Sequence, residues 1–126
     1  MEIVNFTKSG DPIKFKFVVK KEELAVVYSI ELFKKKGKKP MLTYYGDNCK
    51  HKEIHEYYLP VPLNENDERV ICLSADYMGY VTDIRKDYLL AFEVYQGDKL
   101  LKSIERTGCL SATEESISIL AQLKMN

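Results

Sequence analysis

Apolar residues along this chain recur mainly at every second position, which is the spacing of a half-buried β-strand. In residues 12–20 the alternating apolar side chains are Ile13, Phe15, Phe17 and Val19. The next segment repeats the spacing with Leu24, Val26, Tyr28, Ile30 and Leu32. Acidic residues before this second segment and lysines after it would also suit a helix dipole. We favour a strand because the segment is rich in β-branched and aromatic residues.

Residues 88–107 predict a β-hairpin. Two apolar-rich runs are joined at Gln96-Gly97-Asp98-Lys99, with a chain-reversing glycine at the tip. In the first arm Leu90, Phe92 and Val94 share one face. We expect this hairpin to be central in a sheet, with Tyr88 as a possible corner residue, and its role to be structural.

The C-terminal segment has two competing patterns. Residues 111–114, Ser-Ala-Thr-Glu, match a helix capping box. The apolar residues that follow are nevertheless spaced as in a strand: Ile117, Ile119, Ala121 and Leu123. We favour the strand, with a C-terminal helix as the alternative.

Shorter apolar runs at 41–45, 57–59 and 69–75 also predict strands, and turn signals such as Gly37 and Pro40 separate them. About seven short strands with turns between them predict an all-β fold, an antiparallel β-sandwich with an immunoglobulin-like architecture. A small β-barrel is one alternative, and an α+β fold with a C-terminal helix is another. The 126 residues are expected to form a single domain.

The charge of the chain is balanced but unevenly distributed. The 19 basic and 19 acidic residues cancel, which argues against a dedicated nucleic-acid binder. Residues 1–39 contain ten lysines and five acids, a net charge of +5, so the remainder has a net charge of −5. Such a split would let two copies, or one copy and a partner, meet through opposite patches. The competing interpretation is that folding interleaves the two halves.

Cysteine usage and hydropathy bear on the compartment. There are 3 cysteines, an odd number, and none forms a CxxC pair. The N-terminal residues lack the apolar core of a secretory signal, and no apolar run approaches the ~20 residues of a membrane span. These features predict a cytoplasmic protein with reduced thiols and no membrane span.

The segment 49–56 holds the chain's 2 histidines. On a strand, Cys49, His51, Glu53 and His55 would point to one face, so Cys49, His51 and His55 are a candidate site for Zn²⁺. The competing interpretation is a solvated polar segment, since no second cluster completes a known zinc spacing.

The segment 34–39 is the most concentrated charge in the chain. Its lysines are a candidate phosphate-binding loop for nucleic acid: Lys34, Lys35, Lys36, Lys38 and Lys39. Nucleic acid is nevertheless disfavoured as a partner, because the segment has no arginine and a lysine-rich turn needs no ligand to be soluble.

The chain has 9 tyrosines, and two adjacent pairs flank the histidine segment. In an extended segment one ring of each pair must point away from the core. The candidate protein-binding residues are Tyr44, Tyr45, Tyr57, Tyr58, Tyr77 and Tyr80. Ordinary cross-strand packing is the competing explanation.

No segment carries a catalytic or cofactor motif, so a non-enzymatic role is favoured and no cofactor is expected apart from the possible zinc. The leading hypothesis is a protein-interaction module or small subunit of an intracellular assembly, bound to a protein partner or forming a homo-oligomer. The alternatives are a small-ligand or metal-binding β-barrel that uses residues 49–56, and a nucleic-acid-binding accessory protein that uses the lysine turn.

Overall fold

A computed structural model shows an all-β sandwich, as the alternation of apolar residues predicts. It describes residues 1–19, 25–34, 39–47, 55–59, 62–78, 86–110 and 114–126. Within these ranges only the backbone is described for residues 19, 25, 55, 77–78, 86–88, 108–110 and 114–115. The described residues form one sheet of five strands and one of four.

The described part of the chain contains nine strands and one 3-10 turn, Leu63–Asn66. The strands are β1 (Glu2–Phe6), β2 (Ile13–Val19), β3 (Ala25–Phe33), β4 (Leu42–Asp47), β5 (His55–Tyr58), β6 (Val70–Met78), β7 (Lys86–Gln96), β8 (Lys99–Leu110) and β9 (Glu114–Met125). The C-terminal segment is therefore a strand. The number exceeds the seven or so expected, chiefly because β1 has no counterpart in the sequence prediction.

The five-stranded sheet has the order β1-β9-β6-β3-β4, and the four-stranded sheet has the order β5-β2-β7-β8. β1 runs parallel to β9, and the other paired strands are antiparallel. Neither sheet closes on itself within the described ranges, so the structure is a sandwich and not the alternative barrel.

The core lies between the sheets and consists of the residues that alternate along the strands. Ile13, Phe15 and Phe17 are buried on β2, and Leu90, Phe92 and Val94 are buried on β7. On β9 all four alternating residues are buried: Ile117, Ile119, Ala121 and Leu123. Each large buried side chain stabilises the fold by roughly 1.5–3 kcal/mol relative to exposure.

The predicted hairpin is β7 and β8, joined where Gln96 pairs with Lys99. Gly97 has a φ of +61° at the tip, which fits the first central position of a type II′ turn. A side chain there would also overlap with Asp11. β7 pairs with β2 on its other side, so the first arm is interior to its sheet and the second arm is an edge. The side chain of Tyr88 lies outside the described part.

Candidate functional site

The five-stranded sheet has one face in the core and one face away from it, which we call the outer face. By strand register and alternation, the outer face carries Ile3 and Asn5 on β1; Val27, Ser29, Glu31 and Phe33 on β3; Thr43, Tyr45 and Asp47 on β4; Val70, Cys72, Ser74 and Asp76 on β6; and Ser116, Ser118, Leu120, Gln122 and Lys124 on β9.

Exposed apolar side chains are concentrated on this outer face. Seven large apolar side chains are exposed among the described residues, and four of them lie there. Their exposed fractions are 77% for Tyr45, 45% for Leu120, 42% for Val27 and 39% for Ile3. Scattered exposed apolar residues are ordinary, but their grouping on one face is typical of an interaction site.

The middle of the outer face is lined by small side chains. Ser29 on β3 pairs with Ser74 on β6, and Ser74 pairs with Ser118 on β9. The row ends at Tyr45 on β4, which pairs with Ser29, and it separates Val27 on one side from Leu120 on the other. The exposed apolar side chains therefore stand above a lower, polar centre into which a partner's side chains can reach.

The outer face is acidic. Glu31 and Asp76 lie on it, and register places Asp47 beside Val27. Ser116 donates a hydrogen bond of 2.5 Å to the carboxylate of Asp76. Lys124, the cation among the outward strand residues described, is 3.1 Å from the carboxylate of Glu68. A partner with basic side chains would complement this face.

The outward face of the four-stranded sheet carries an ion pair between neighbouring strands. Lys16 lies 3.1 Å from the carboxylate of Glu56 and 4.9 Å from the ring centroid of Tyr95. The hydrogen bond from Lys16 lowers the pKa of Glu56, and the same bond raises the pKa of Lys16. On this face, therefore, Lys16 and Glu56 satisfy each other's charge without a partner.

The structure separates the candidate tyrosines into two groups. Tyr44 and Tyr57 are half-buried between the sheets, with ring centroids 4.7 Å apart. Tyr45 and Tyr58 are exposed, but Tyr45 belongs to the outer face and Tyr58 to the opposite side of the sandwich. Tyr77 is on β6 with only its backbone described, and Tyr80 lies outside the described residues.

The hydroxyl of Tyr57 lies 2.7 Å from the hydroxyl of Tyr28. Burial raises the pKa of Tyr28 well above its usual value, and the hydrogen bond with Tyr57 raises it further. The inward tyrosines thus bridge the two sheets, which leaves Tyr45 and Tyr58 as the described members that a partner can reach.

The zinc prediction is not tested by the structure. Cys49 and His51 lie outside the described residues, and His55 begins β5 with only its backbone described. In the part of the chain that is described, no group of three potential ligands could hold a metal ion. The site at 49–56 stays a prediction.

The lysine turn is described only at its ends. Lys34 follows β3 and Lys39 precedes β4, and both are exposed. Lys35, Lys36 and Lys38 lie outside the described ranges, so the nucleic-acid site stays a prediction. Across the described residues, no helix has the length and apolar character required to cross a bilayer.

The sequence prediction missed the apolar residues of the outer face. Val27, Leu120 and Ile3 alternate with core residues, so the strand pattern assigns them to the solvent side. An apolar residue at a position that alternation assigns to the solvent side could have indicated this surface. The clearest instance is Val27, which directly follows the core residue Val26. Which of these residues share a face depends on the order and register of distant strands.

Comparisons with models of known protein families, with curated proteins and with solved structures found no match to this chain. Its function must therefore be inferred from the surface of the molecule itself.

Proposed function

We propose that this protein is a non-enzymatic interaction module that docks another protein on the outer face of its five-stranded sheet. The observation that carries the proposal is the grouping of four of the seven exposed large apolar side chains on that face. Burying them against a partner would favour binding by roughly 25 cal/mol for each Å² of apolar area removed from water. Tyr45, the most exposed of the four, belongs to a residue type that is enriched at interfaces.

The partner's complementary surface combines apolar side chains, which would meet those of the outer face, with basic side chains, which would meet its carboxylates. Glu31 and Asp76 would lie opposite the partner's lysine or arginine side chains, which favours association and suppresses wrong partners. A second copy of the chain would present an equally acidic face. We therefore infer that the partner is a different protein. The alternative is a homo-oligomer, and a measurement of the molecular mass in solution distinguishes the two.

The size of the face indicates a modest affinity. The five strands have 5, 12, 9, 9 and 6 residues. At about 3.3 Å per residue and about 4.8 Å between strands, they give a flat area of roughly 650 Å². A standard interface buries about 800 Å² on each partner. We therefore expect a reversible complex of a small accessory subunit, in which a few contacts dominate.

We place this work in the cytoplasm. The half-buried thiol of Cys72 is free and lies in the middle of the outer face. A reducing compartment keeps such a thiol from forming disulfides with other chains. The odd number of cysteines in the sequence supports the same compartment.

Two leucines allow a matched experiment. Leu120 on the outer face is 45% exposed, and Leu100 on β8 of the other sheet is 46% exposed. We expect a partner captured by the wild-type protein to be lost with Leu120→Arg and with Val27→Arg, and to be retained with Leu100→Arg. Thermal unfolding of each variant checks that the fold is intact. Equal retention by Leu120→Arg and Leu100→Arg would rule out the outer face.

A further inference from the structure

Within the described ranges, one edge of β9 is only partly paired. β9 spans Glu114–Met125, and β6 pairs with it from Glu114 to Gln122. On its other side β1 pairs only with residues 121–125. Among the described residues, the stretch 114–120 therefore has no strand partner on the β1 side. An open edge of this kind can receive an added strand through main-chain hydrogen bonds.

Open space lies beside this edge. A cleft of about 280 Å³ is lined by Met1, Glu2, Arg106, Ser118 and Leu120. Ser118 and Leu120 belong to β9, and Arg106 reaches the cleft from β8 of the other sheet. An extended chain that entered the cleft would lie in line with β1 and would touch both sheets.

Within this chain, a cation on β8 already binds an acidic side chain from β1. Glu2, at the start of β1, has its carboxylate 2.9 Å from the ammonium group of Lys102. The hydrogen bond from Lys102 lowers the pKa of Glu2. Lys102 also donates a hydrogen bond of 3.2 Å to the carbonyl of Ile3. An inward carboxylate on this line is thus held by a cation from β8.

Arg106 repeats this arrangement farther along β8. Lys102 pairs with Val94 and Arg106 pairs with Leu90, so both cations lie on the face of β8 that is turned toward the five-stranded sheet. The guanidinium of Arg106 donates a hydrogen bond of 3.0 Å to the carbonyl of Glu105. No carboxylate among the described residues forms an ion pair with Arg106, although its charge contributes to the lowered pKa of Glu2. Arg106 also lines the cleft.

We propose that the free edge of β9 at residues 116–120 binds an extended acidic peptide segment by strand addition, with a carboxylate of the peptide on Arg106. The guanidinium can hold a carboxylate through two parallel hydrogen bonds. Successive side chains of a strand point to opposite sides. The residue next to the acidic one therefore points outward and packs against Leu120. The recognised pattern is an acidic residue beside an apolar one.

This site goes beyond the docking of a partner on the outer face. It depends on Arg106, which belongs to the other sheet, and not on Val27 or Tyr45. The two sites share Leu120, so substitution of Arg106 tests peptide binding at the edge separately from docking on the outer face.

The test is selection of random octapeptides from a display library on wild-type protein and on Arg106→Glu. Lys99→Glu, at the exposed tip of the β7–β8 hairpin, is the charge-matched control. We expect the wild type and Lys99→Glu to enrich peptides with Asp or Glu beside an aliphatic residue. Arg106→Glu should enrich peptides with Lys or Arg in that place. The selected peptide, synthesised with its acid or with the matching amide, should bind the wild type at least tenfold more tightly in the acidic form.

Nuclear magnetic resonance then locates the peptide. Bound peptide should shift the backbone amides of residues 116–120 and the side chain of Arg106. The proposal is overturned if no sequence is enriched, or if all three proteins enrich the same sequences. It is equally overturned if the shifted amides lie on β4, β5 or the outer edge of β8.

Discussion

The hydroxyl groups of Tyr28 and Tyr57 lie 2.7 Å apart and join the two sheets of the sandwich. Tyr28 belongs to β3 of the five-stranded sheet, and Tyr57 belongs to β5 of the four-stranded sheet. Their rings meet edge to face with centroids 6.4 Å apart. Tyr28 is buried with 2% of its surface exposed and Tyr57 is half-buried, so this hydrogen bond is partly shielded from water, which strengthens it.

Replacing either hydroxyl should destabilise the protein, and the two effects should not add. We expect Tyr28→Phe and Tyr57→Phe each to lower the free energy of unfolding by about 1 kcal/mol. The double variant should lose less than the sum, because both substitutions remove the same hydrogen bond. Urea unfolding at pH 7 measures the three values. Tyr58→Phe, an exposed tyrosine one residue away, should change little; strict additivity of the pair would contradict the bond.

The same pair predicts a loss of stability in alkali. Burial and the bond to Tyr57 raise the pKa of Tyr28 in the folded protein, whereas an unfolded tyrosine has a pKa of about 10. The contribution of the protonated Tyr28 hydroxyl to folding stability is therefore complete below about pH 10. It falls above that pH, because the unfolded chain then releases a proton that the folded chain retains. Unfolding measured from pH 8 to pH 11 should show a smaller fall for Tyr28→Phe than for the wild type. Equal slopes would contradict this assignment.

Gly46 provides the room that the Tyr28 side chain occupies. Gly46 pairs with Tyr28 across β4 and β3, and a Cβ atom at position 46 would overlap with the hydroxyl and ring of Tyr28. We expect Gly46→Ala to destabilise the protein by about 1–3 kcal/mol through overpacking. In a Tyr28→Leu background the same substitution should cost much less, since the ring is gone. An equal cost in both backgrounds, measured by urea unfolding, would show that the overlap is not the cause.

The side chain of Gln96, at the end of β7, forms hydrogen bonds with Thr7, which follows β1. Its side-chain oxygen accepts hydrogen bonds from the backbone N–H of Thr7 at 3.0 Å and from the Thr7 hydroxyl at 3.1 Å. Its amide nitrogen donates to the Thr7 carbonyl at 2.9 Å. We expect Gln96→Leu to lower the free energy of unfolding by about 1–2 kcal/mol. Hydrogen exchange should show the amide of Thr7 exchanging faster, whereas Asp98→Ala at the hairpin tip should leave it unchanged; an unaltered Thr7 rate in Gln96→Leu would argue against the contact.

Alternation predicted the core well because it is a local property of each strand. Ile13 and Phe17 on β2, and Ile117 and Leu123 on β9, are buried as the spacing requires. The C-terminal segment shows that a four-residue apolar alternation outweighed the capping pattern before it. A strand forms there because β9 pairs with β6 along its edge. The apolar face of β9 then packs into the core between the two sheets.

Long-range relationships were not predictable from the pattern. β1 is only five residues long and pairs with β9 at the far end of the chain, so no local turn signals its presence. The adjacent tyrosines predicted one outward ring in each pair. The pattern did not tell that Tyr45 and Tyr58 would lie on opposite sides, because that depends on which sheet each strand joins.

The central claim is that partners dock on the outer face of the five-stranded sheet, and Tyr45 and Tyr58 allow a direct test. Their exposed fractions are 77% and 59%, and they lie at the same margin of the sandwich but on opposite faces. A photoactivatable phenylalanine is placed at one position or the other, and native cells are irradiated. We expect cross-linked adducts with another protein from position 45 and none from position 58. Adducts from position 58 alone, or equally from both positions, would contradict the proposed docking face.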